Sequence, residues 1–354
     1  MLTAIIALVV AIFVVGGVIS AMGNSTGKTV ISKHDELFEL PPGALPPHPG
    51  FPTRKATGND VRAPVAVRFE PPAGVLPEQV GMLSDAAVSG PDIAAAIVGL
   101  AVDGYLNLRP QKVAAGWRGR DVKTEWLVTV QRPADDRLTP LRKDLLRLLA
   151  ILGRPATIAE LKPHLAKNMS DLRQDFARQP QFQQWYPHLR GGSIPLGKCL
   201  TSPGAKQRSA LGTALRYQSA GFKHFLAVAD GNALRFQEGA GIFSRYLPWA
   251  IAYGVTDQWV RAFGQALHGL DPATADIWVH DLAWYGDFGS FDTGSFDVGS
   301  FDGLGDAAGD LVSSLGDALS DLTDSIGDLA SDLSDAGGDG GGGDGGGDGG
   351  GGGD

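Results

Sequence analysis

Apolar residues recur three or four positions apart between residues 236 and 254, which is the spacing of an amphipathic helix. The stripe consists of Phe236, Ala240, Phe243, Leu247 and Ile251. Pro248 predicts a kink or a restart near Leu247, because proline has no amide hydrogen and clashes with the preceding turn. Gly254 is expected to end this helix, and Thr256 to cap the next one.

The aromatic residues of this predicted helical hairpin allow two interpretations. In one, they form a buried core between the helices. In the other, four of them line a ligand groove: Tyr246, Trp249, Tyr253 and Trp259. Apolar helical stripes are typical of both arrangements, so the pattern alone leaves the choice open.

A first module is predicted over residues 65–135. Apolar alternation from Val65 to Phe69 indicates a short strand, and Pro77 is placed to open a helix. A second helix is expected to stop near Gly104, followed by two strands over residues 105–108 and 126–130. Two helices followed by a hairpin are the outline of a winged-helix-like module.

The segment between the two predicted strands is basic and contains one tryptophan. Its candidate residues for contact with an anionic surface are Lys112, Trp117, Arg118, Arg120 and Lys123. Such a hairpin could contact phosphates of nucleic acid or of anionic lipid. The alternative is an ordinary solvated loop.

Further helices are predicted along the rest of the body. Residues 136–200 form a second helical or winged-helix-like module, in which Thr157 and Glu160 have the spacing of a capping box. Residues 201–285 are predicted as a helical bundle, in which a helix over 207–229 pairs with the 237–264 hairpin. The fold class is therefore mainly α with small β hairpins, that is, α+β.

An apolar run from Leu2 to Met22 opens the sequence and has no charged side chain. About 20 residues suffice to cross a bilayer, so residues 1–23 are predicted to be a transmembrane anchor. A secretory signal is the alternative, but it would have a positive start and a shorter apolar core. Lys28 and Lys33 follow the run, which favours a cytoplasmic location for the C-terminal bulk. Residues 24–64 are rich in proline and are predicted to be an extended linker.

The last part of the chain has a different composition. Sixteen of the 39 acidic residues lie from Asp287 onward, whereas all 30 lysines and arginines precede that position. Leucines and one isoleucine are near heptad spacing between Leu304 and Leu333, and eight aspartates lie between Asp306 and Asp335. Residues 286–354 are predicted to be a disordered Gly/Asp-rich tail, whose acidic part is a partner for the basic body.

Motifs of known chemistry are missing from the sequence. It contains no GxSxG, P-loop, HExxH or paired CxxC motif, and Cys199 is its single cysteine. The seven histidines are scattered. We therefore expect no catalytic residues, no cofactor and no metal site, and we expect that the protein is not an enzyme.

Two stretches carry a resemblance to a known family. They are EPPAGVLPEQVGMLSDAAVSGPDIAAAIVGLAVDGYLNLR at 70–109 and RYLPWAIAYGVTDQWVRAFG at 245–264. Both resemble the C-terminal region of the bacterial predicted membrane proteins grouped as domain of unknown function 2207 (DUF2207). The resemblance covers roughly residues 70–270 and implies a cytoplasmic region that follows a membrane helix. It implies no reaction.

Two function classes follow from the sequence. The first is a single-span membrane protein whose cytoplasmic modules act as a protein-interaction or scaffold module. The second is a membrane-tethered regulator that binds nucleic acid through the basic hairpin.

Overall fold

The structure is a computed structural model of the whole chain. It describes residues 30–115, 121–168, 171–172, 179–189, 207–231 and 241–267, and residues 234, 270, 274, 277–278, 282 and 284. The side chains of residues 112–115, 121–124 and 166 are not described. The predicted anchor and the predicted tail lie outside this part of the chain.

The described elements are short. The strands are β1 (Glu36–Phe38), β2 (Thr53–Lys55), β3 (Leu106–Ala115), β4 (Asp121–Val130) and β5 (Ala156–Thr157). The first helices are α1 (Gly58–Val61), α2 (Val80–Asp85), α3 (Gly90–Val102), α4 (Pro140–Leu149) and α5 (Ile158–Lys167), with a 3₁₀ turn at Pro77–Gln79. The later helices are α6 (Pro180–Trp185), α7 (Ala210–Val228), α8 (Ile242–Tyr253) and α9 (Thr256–Leu267).

These elements confirm the α+β class, with two small antiparallel sheets, β1–β2 and β3–β4–β5. Among the described residues, no helix combines the length and the apolar character that crossing a membrane requires. The contacts divide the chain into two compact units. The described parts of the first unit are residues 30–74, 183–189 and 207–224. Those of the second are residues 75–115, 121–168, 171–172 and 179–182 and the described residues from 225 onward.

The first unit shows that much of the predicted linker is folded. Between residues 36 and 61 it forms β1, β2 and α1, and its apolar side chains pack on α7. The core joins Ile31, Leu37 and Ala56 to Tyr217. Gln218 adds two polar contacts, since its Nε2 donates to the Gly43 carbonyl at 2.8 Å and its Oε1 accepts from the Ala73 amide at 3.0 Å. The proline content predicted an extended spacer here. Instead, the segment is held by contacts with α7, a helix that is far away in sequence.

The predicted strand from Val65 to Phe69 is wrong, because this segment pairs with no strand. Instead, the Arg68 amide donates to the Gly221 carbonyl of α7 at 3.2 Å. Val67 and Phe69 are 42% and 57% exposed, so the apolar alternation does not mark a buried face. The segment lies close to α7 because residue 221 is glycine. A Cβ at that position would stand 2.3 Å from the Ala66 carbonyl oxygen.

The second unit is built around α3. Eleven of its residues, from Gly90 to Ala101, are buried. A helix that is apolar all round belongs in a core, and α3 contacts α8, β3, α4 and the 3₁₀ turn. Within this unit, α8 packs on α3, whose small alanines allow a close approach. The bundle of the 207–229 helix with the 237–264 hairpin stays a prediction; the rings of Phe225 in α7 and Trp259 in α9 have centroids 6.0 Å apart.

A buried capping box starts α3. Ser89 donates to Asp92 Oδ2 through its amide at 2.8 Å and its hydroxyl at 2.6 Å. The Gly81 amide donates to Asp92 Oδ1 at 2.8 Å. Burial raises the pKa of Asp92 to about 7, against the opposing effect of these hydrogen bonds.

The two predicted modules share one sheet. β5 lies in the second predicted module, yet its Ala156 and Thr157 pair with Val128 and Leu127 of β4 in the first. The capping box that begins α5 is confirmed, because the Thr157 amide donates to Glu160 Oε2 at 2.9 Å. The Glu160 amide returns a bond to Thr157 Oγ1 at 3.2 Å.

The ends of α8 follow the sequence pattern. Gly254 ends the helix in the left-handed conformation, with φ of 65°, as predicted. α8 runs through Pro248 as one helix, so the predicted restart does not occur. α9 begins at Thr256, where a cap was expected.

Candidate interaction surface

The strands β3 and β4 form a long antiparallel ribbon. Ten residues pair in register, from Leu106 opposite Val130 to Ala115 opposite Asp121. β5 pairs with β4 only at Leu127 and Val128. Beyond Arg109, the described part of the sheet is therefore two-stranded, with an outer edge on each side. We call residues 109–125 the outer ribbon.

The register separates the candidate basic residues between the two faces of the ribbon. Lys112 pairs with Thr124, and Val113 pairs with Lys123. Partners share a face and neighbours alternate, so Lys112 and Lys123 occupy positions on opposite faces. Three candidates, Trp117, Arg118 and Arg120, lie outside the described residues.

Arg109 is a basic residue of this ribbon that the sequence analysis missed. It is exposed and pairs with Leu127, so it shares its face with the position of Lys123. The signal was present in the sequence, since Arg109 follows the buried Leu108 in an alternating strand. It was overlooked because it precedes the loop-like stretch in which the other basic residues cluster.

The base of the ribbon is held by a polar network. The Arg132 guanidinium carbon lies 3.9 Å from the centroid of the Tyr105 ring, which is a cation–π contact. The Tyr105 hydroxyl donates to Asp135 Oδ1 at 2.7 Å, and Arg137 donates to Asp135 Oδ2 at 2.7 Å. The hydrogen bonds from Arg137 and Tyr105 hold the pKa of Asp135 well below its usual range.

A second network fixes the helices behind the sheet. Arg142 donates from Nε and Nη2 to the buried carboxylate of Glu78 at 2.7 and 2.9 Å. Its Nη1 donates to Asp103 Oδ2 at 2.7 Å. This guanidinium is therefore bound by two carboxylates. We assign it to the scaffold that supports the ribbon, since a charge paired in this way is held by the protein itself.

The four residues of the candidate groove are all buried, with exposures between 0% and 7%. Tyr246 and Trp259 have ring centroids 6.0 Å apart, and the Trp259 indole donates to the Phe243 carbonyl at 3.2 Å. Trp249 and Tyr253 stack with centroids 6.1 Å apart. These contacts agree with the core interpretation. The groove interpretation stays a prediction.

An apolar cavity of about 10 Å³ lies beside α3 and is lined by Ile93, Ala96, Leu141, Leu145 and Leu172. A single water molecule needs about that volume and polar partners as well. This cavity is therefore a packing defect and no ligand site. Within the described ranges, no group of three or more His, Cys, Asp or Glu residues is arranged to hold a metal ion.

Comparisons with protein-family models, with curated proteins and with solved structures give no match to this chain. The resemblance to DUF2207 stays a prediction from the sequence. The geometry of the outer ribbon is thus the main guide to function.

Proposed function

We propose that the chain is a single-span membrane protein whose cytoplasmic body is a protein-interaction or scaffold module and not an enzyme. The apolar run from Leu2 to Met22 supports the anchor, and the lysines after it support the orientation. The sequence lacks nucleophile, phosphate-loop and zinc-protease motifs, which favours a binding role.

The observation that carries this proposal is the outer ribbon. A two-stranded hairpin is only marginally stable in water, and natural proteins protect exposed strand edges. Here, within the described residues, β5 covers two positions of a strand of ten. Exposed strand edges are used for strand addition by protein partners. The basic residues add long-range attraction to an acidic partner.

At the level of fold, we propose that residues 65–135 include a winged-helix-like module. The support is the order of α2, α3, β3 and β4, in which α3 packs against β3. The ribbon would be its wing. Membership of the DUF2207 family is part of the same proposal and rests on residues 70–109 and 245–264.

The proposal is tested by reversing charge on one face of the ribbon. The variant carries Arg109→Glu and Lys123→Glu in the full chain. The matched control carries Lys167→Glu and Arg261→Glu, two exposed residues on α5 and α9. Partners are captured from native membranes by crosslinking and quantified against wild type. We expect the ribbon variant to lose proteins that the control retains, whereas equal capture by both variants contradicts the proposal.

Nucleic acid is the second candidate partner, favoured by the basic residues and the single tryptophan in the sequence of this hairpin. Duplex DNA is the probe, and its affinity is measured at several salt concentrations. Phosphate contacts give a steep linear fall of log affinity with log salt. Binding that has this slope and is lost in the ribbon variant supports this candidate over a protein partner.

A further inference from the structure

We propose that the first unit binds the surface of the membrane that anchors the chain, through a face that combines basic and apolar side chains. The face consists of Lys55, Arg62, Val67 and Phe69, all of which are exposed, and we call it the entry face. Its ligands are the headgroups of anionic lipids. The inference rests on the proposed anchor and adds a second contact between the chain and the same bilayer.

The entry face lies around the point at which the described chain enters the first unit. Val30, the first described residue, packs against the apolar core of this unit together with Val61 and Val65. Arg62 directly follows Val61, and Val67 lies two residues beyond Val65. The side chains of the face therefore belong to the same part of the unit as the start of the described chain.

The connection from this point to the predicted anchor is short. Only residues 23–29 separate Met22, the end of the apolar run, from Val30. A chain advances by at most about 3.6 Å per residue, so this connection spans less than about 30 Å even when it is fully extended. The anchor thus keeps the entry face near the headgroups. Because the chain is tethered, even a weak contact with the surface becomes populated.

Charge complementarity is the second argument. Residues 54–70 contain four basic side chains and two acidic ones. Asp60 accepts hydrogen bonds from Arg54 at 2.7 and 2.8 Å, so the charges of this pair cancel. Three basic residues and Glu70 remain. Clusters of lysine and arginine next to a membrane helix attract anionic lipids, and this segment has the required sign of charge.

The charges of Arg62 and Lys55 are not neutralised by the unit itself. Arg62 Nε donates at 3.2 Å to the Gly58 carbonyl, which is a neutral acceptor. Lys55 is paired across the β1–β2 sheet with the half-buried Glu36, but among the described residues its side chain forms no ion pair. Both charges therefore remain for an anionic ligand.

The apolar side chains of the face are the third argument. Val67 and Phe69 are 42% and 57% exposed. The Arg68 amide between them donates to the Gly221 carbonyl of α7 at 3.2 Å, so the backbone that carries them is fixed in the folded unit. Single exposed apolar residues are ordinary. Here two of them accompany basic residues, which is the combination that surface-bound segments use to enter the boundary between headgroups and acyl chains.

The test measures contact between the entry face and lipid in the full chain. Cys199→Ser removes the native thiol, and Val67→Cys then carries a small fluorophore. Leu45→Cys is the matched control, because Leu45 is 39% exposed in the same unit and no lysine or arginine lies between Lys33 and Arg54. The labelled chains are reconstituted in vesicles of phosphatidylcholine, either alone or with about 30% phosphatidylserine. Quenching by lipids that carry a nitroxide at the headgroup is then recorded.

In the anionic vesicles we expect the label that replaces Val67 to be quenched severalfold more than the label that replaces Leu45. The difference should shrink in phosphatidylcholine alone, because the attraction is electrostatic. It should also shrink in 1 M salt, where charges are screened beyond about 3 Å.

Two variants with equal charge change make the test specific. Lys55→Gln with Arg62→Gln should lower the ratio of bound to unbound entry faces about 25-fold, since each charge near an anionic surface contributes about fivefold. Lys167→Gln with Arg261→Gln changes two exposed residues of α5 and α9 and should leave the ratio unchanged.

Three results would overturn the inference. The first is equal quenching of the two labels in anionic vesicles, and the second is an equal effect of the two charge variants. The third is a label in place of Val67 that is shielded from aqueous iodide but is not quenched by the lipids, which would assign the face to a second copy or to another segment of this chain. All three leave the anchor intact if the chain still fractionates with membranes. A chain that does not enter vesicles contradicts the anchor and this inference together.

Discussion

Arg208 Nη1 lies 3.0 Å from Asp35 Oδ2, and both side chains are buried although 173 positions separate them in sequence. The Arg208 amide also donates to Asp35 Oδ1 at 3.0 Å. This pair joins the segment before β1 to the segment before α7. The apolar core that Tyr217 forms with Ile31 and Leu37 joins the same two parts of the chain.

Removing one partner of this pair should destabilise the first unit strongly. Arg208→Met leaves the Asp35 carboxylate buried without its cation, which typically costs about 3–5 kcal/mol. The measurement is the free energy of unfolding in urea. Arg154→Met is the control, since its pair with Glu160 is exposed and should matter little. A similar loss of unfolding free energy in both variants would show that the buried ion pair contributes no more to stability than the exposed one.

Asp92 should make stability depend on pH. Its folded pKa of about 7 lies above the ordinary value of 3.8 because burial disfavours the charged form. The contribution of Asp92 to the free energy of unfolding is therefore complete below pH about 4 and is lost as pH rises toward 7. We expect the difference in unfolding free energy between wild type and Asp92→Asn to favour wild type more at pH 5 than at pH 8. A difference that is independent of pH would contradict the raised pKa.

The aromatic core should be intolerant of truncation. Trp249→Ala removes a nearly fully buried ring and should cost about 3–5 kcal/mol. Leu247→Asp, which buries a charge at a fully enclosed position, should unfold the second unit. Thermal melting measures both, with the half-exposed Ile151→Ala as control. An unchanged melting curve together with lost ligand binding would favour the groove interpretation.

Gly221→Ala should disturb the first unit through a single methyl group. Its Cβ would stand 2.3 Å from the Ala66 carbonyl oxygen, so the 65–69 segment must move. Overpacking of this kind costs about 1–3 kcal/mol. Gly58→Ala is the control, because its Cβ meets only the end of the Arg62 side chain, at 3.4 Å. Hydrogen exchange at the Arg68 amide should rise in the first variant alone.

The N-terminal run should hold the protein in the membrane. The full chain is expected to fractionate with membranes and to resist carbonate extraction, and deletion of Leu2–Met22 should release it. Immunoblots of membrane and soluble fractions measure both outcomes. Recovery of a secreted product that begins near Met22 would instead identify a cleaved signal and would reverse the proposed orientation.

Local patterns in the sequence were sufficient for local structure. The capping box of Thr157 and Glu160, the helix end at Gly254 and the existence of the β3–β4 hairpin all follow from residues within a few positions of each other or from simple alternation. The strands themselves are longer than the predicted 105–108 and 126–130, since each has ten residues. Each is determined by backbone chemistry that neighbouring side chains supply. The α+β class followed from summing such signals.

Long-range pairing was not predictable in the same way. No local signal indicates that Asp35 meets Arg208, that Gln218 binds Gly43, or that Ala156 extends the β3–β4 sheet. The predicted strand at Val65–Phe69 failed for the same reason, since alternation cannot show whether a partner strand exists. For the candidate surface, the sequence indicated the basic residues, but only the register placed the positions of Lys112 and Lys123 on opposite faces and added Arg109.

The division of the first unit along the chain affects when it can fold during synthesis. Residues 30–74 are translated long before residues 207–224, which complete their core. Ile31 and Leu37 therefore leave the ribosome without Tyr217, whereas the three-stranded sheet with α4 and α5 is contiguous. Contacts of such large sequence separation form slowly. The synthesis of α7, and not that of residues 30–74 themselves, therefore sets the earliest time at which the core of the first unit can form.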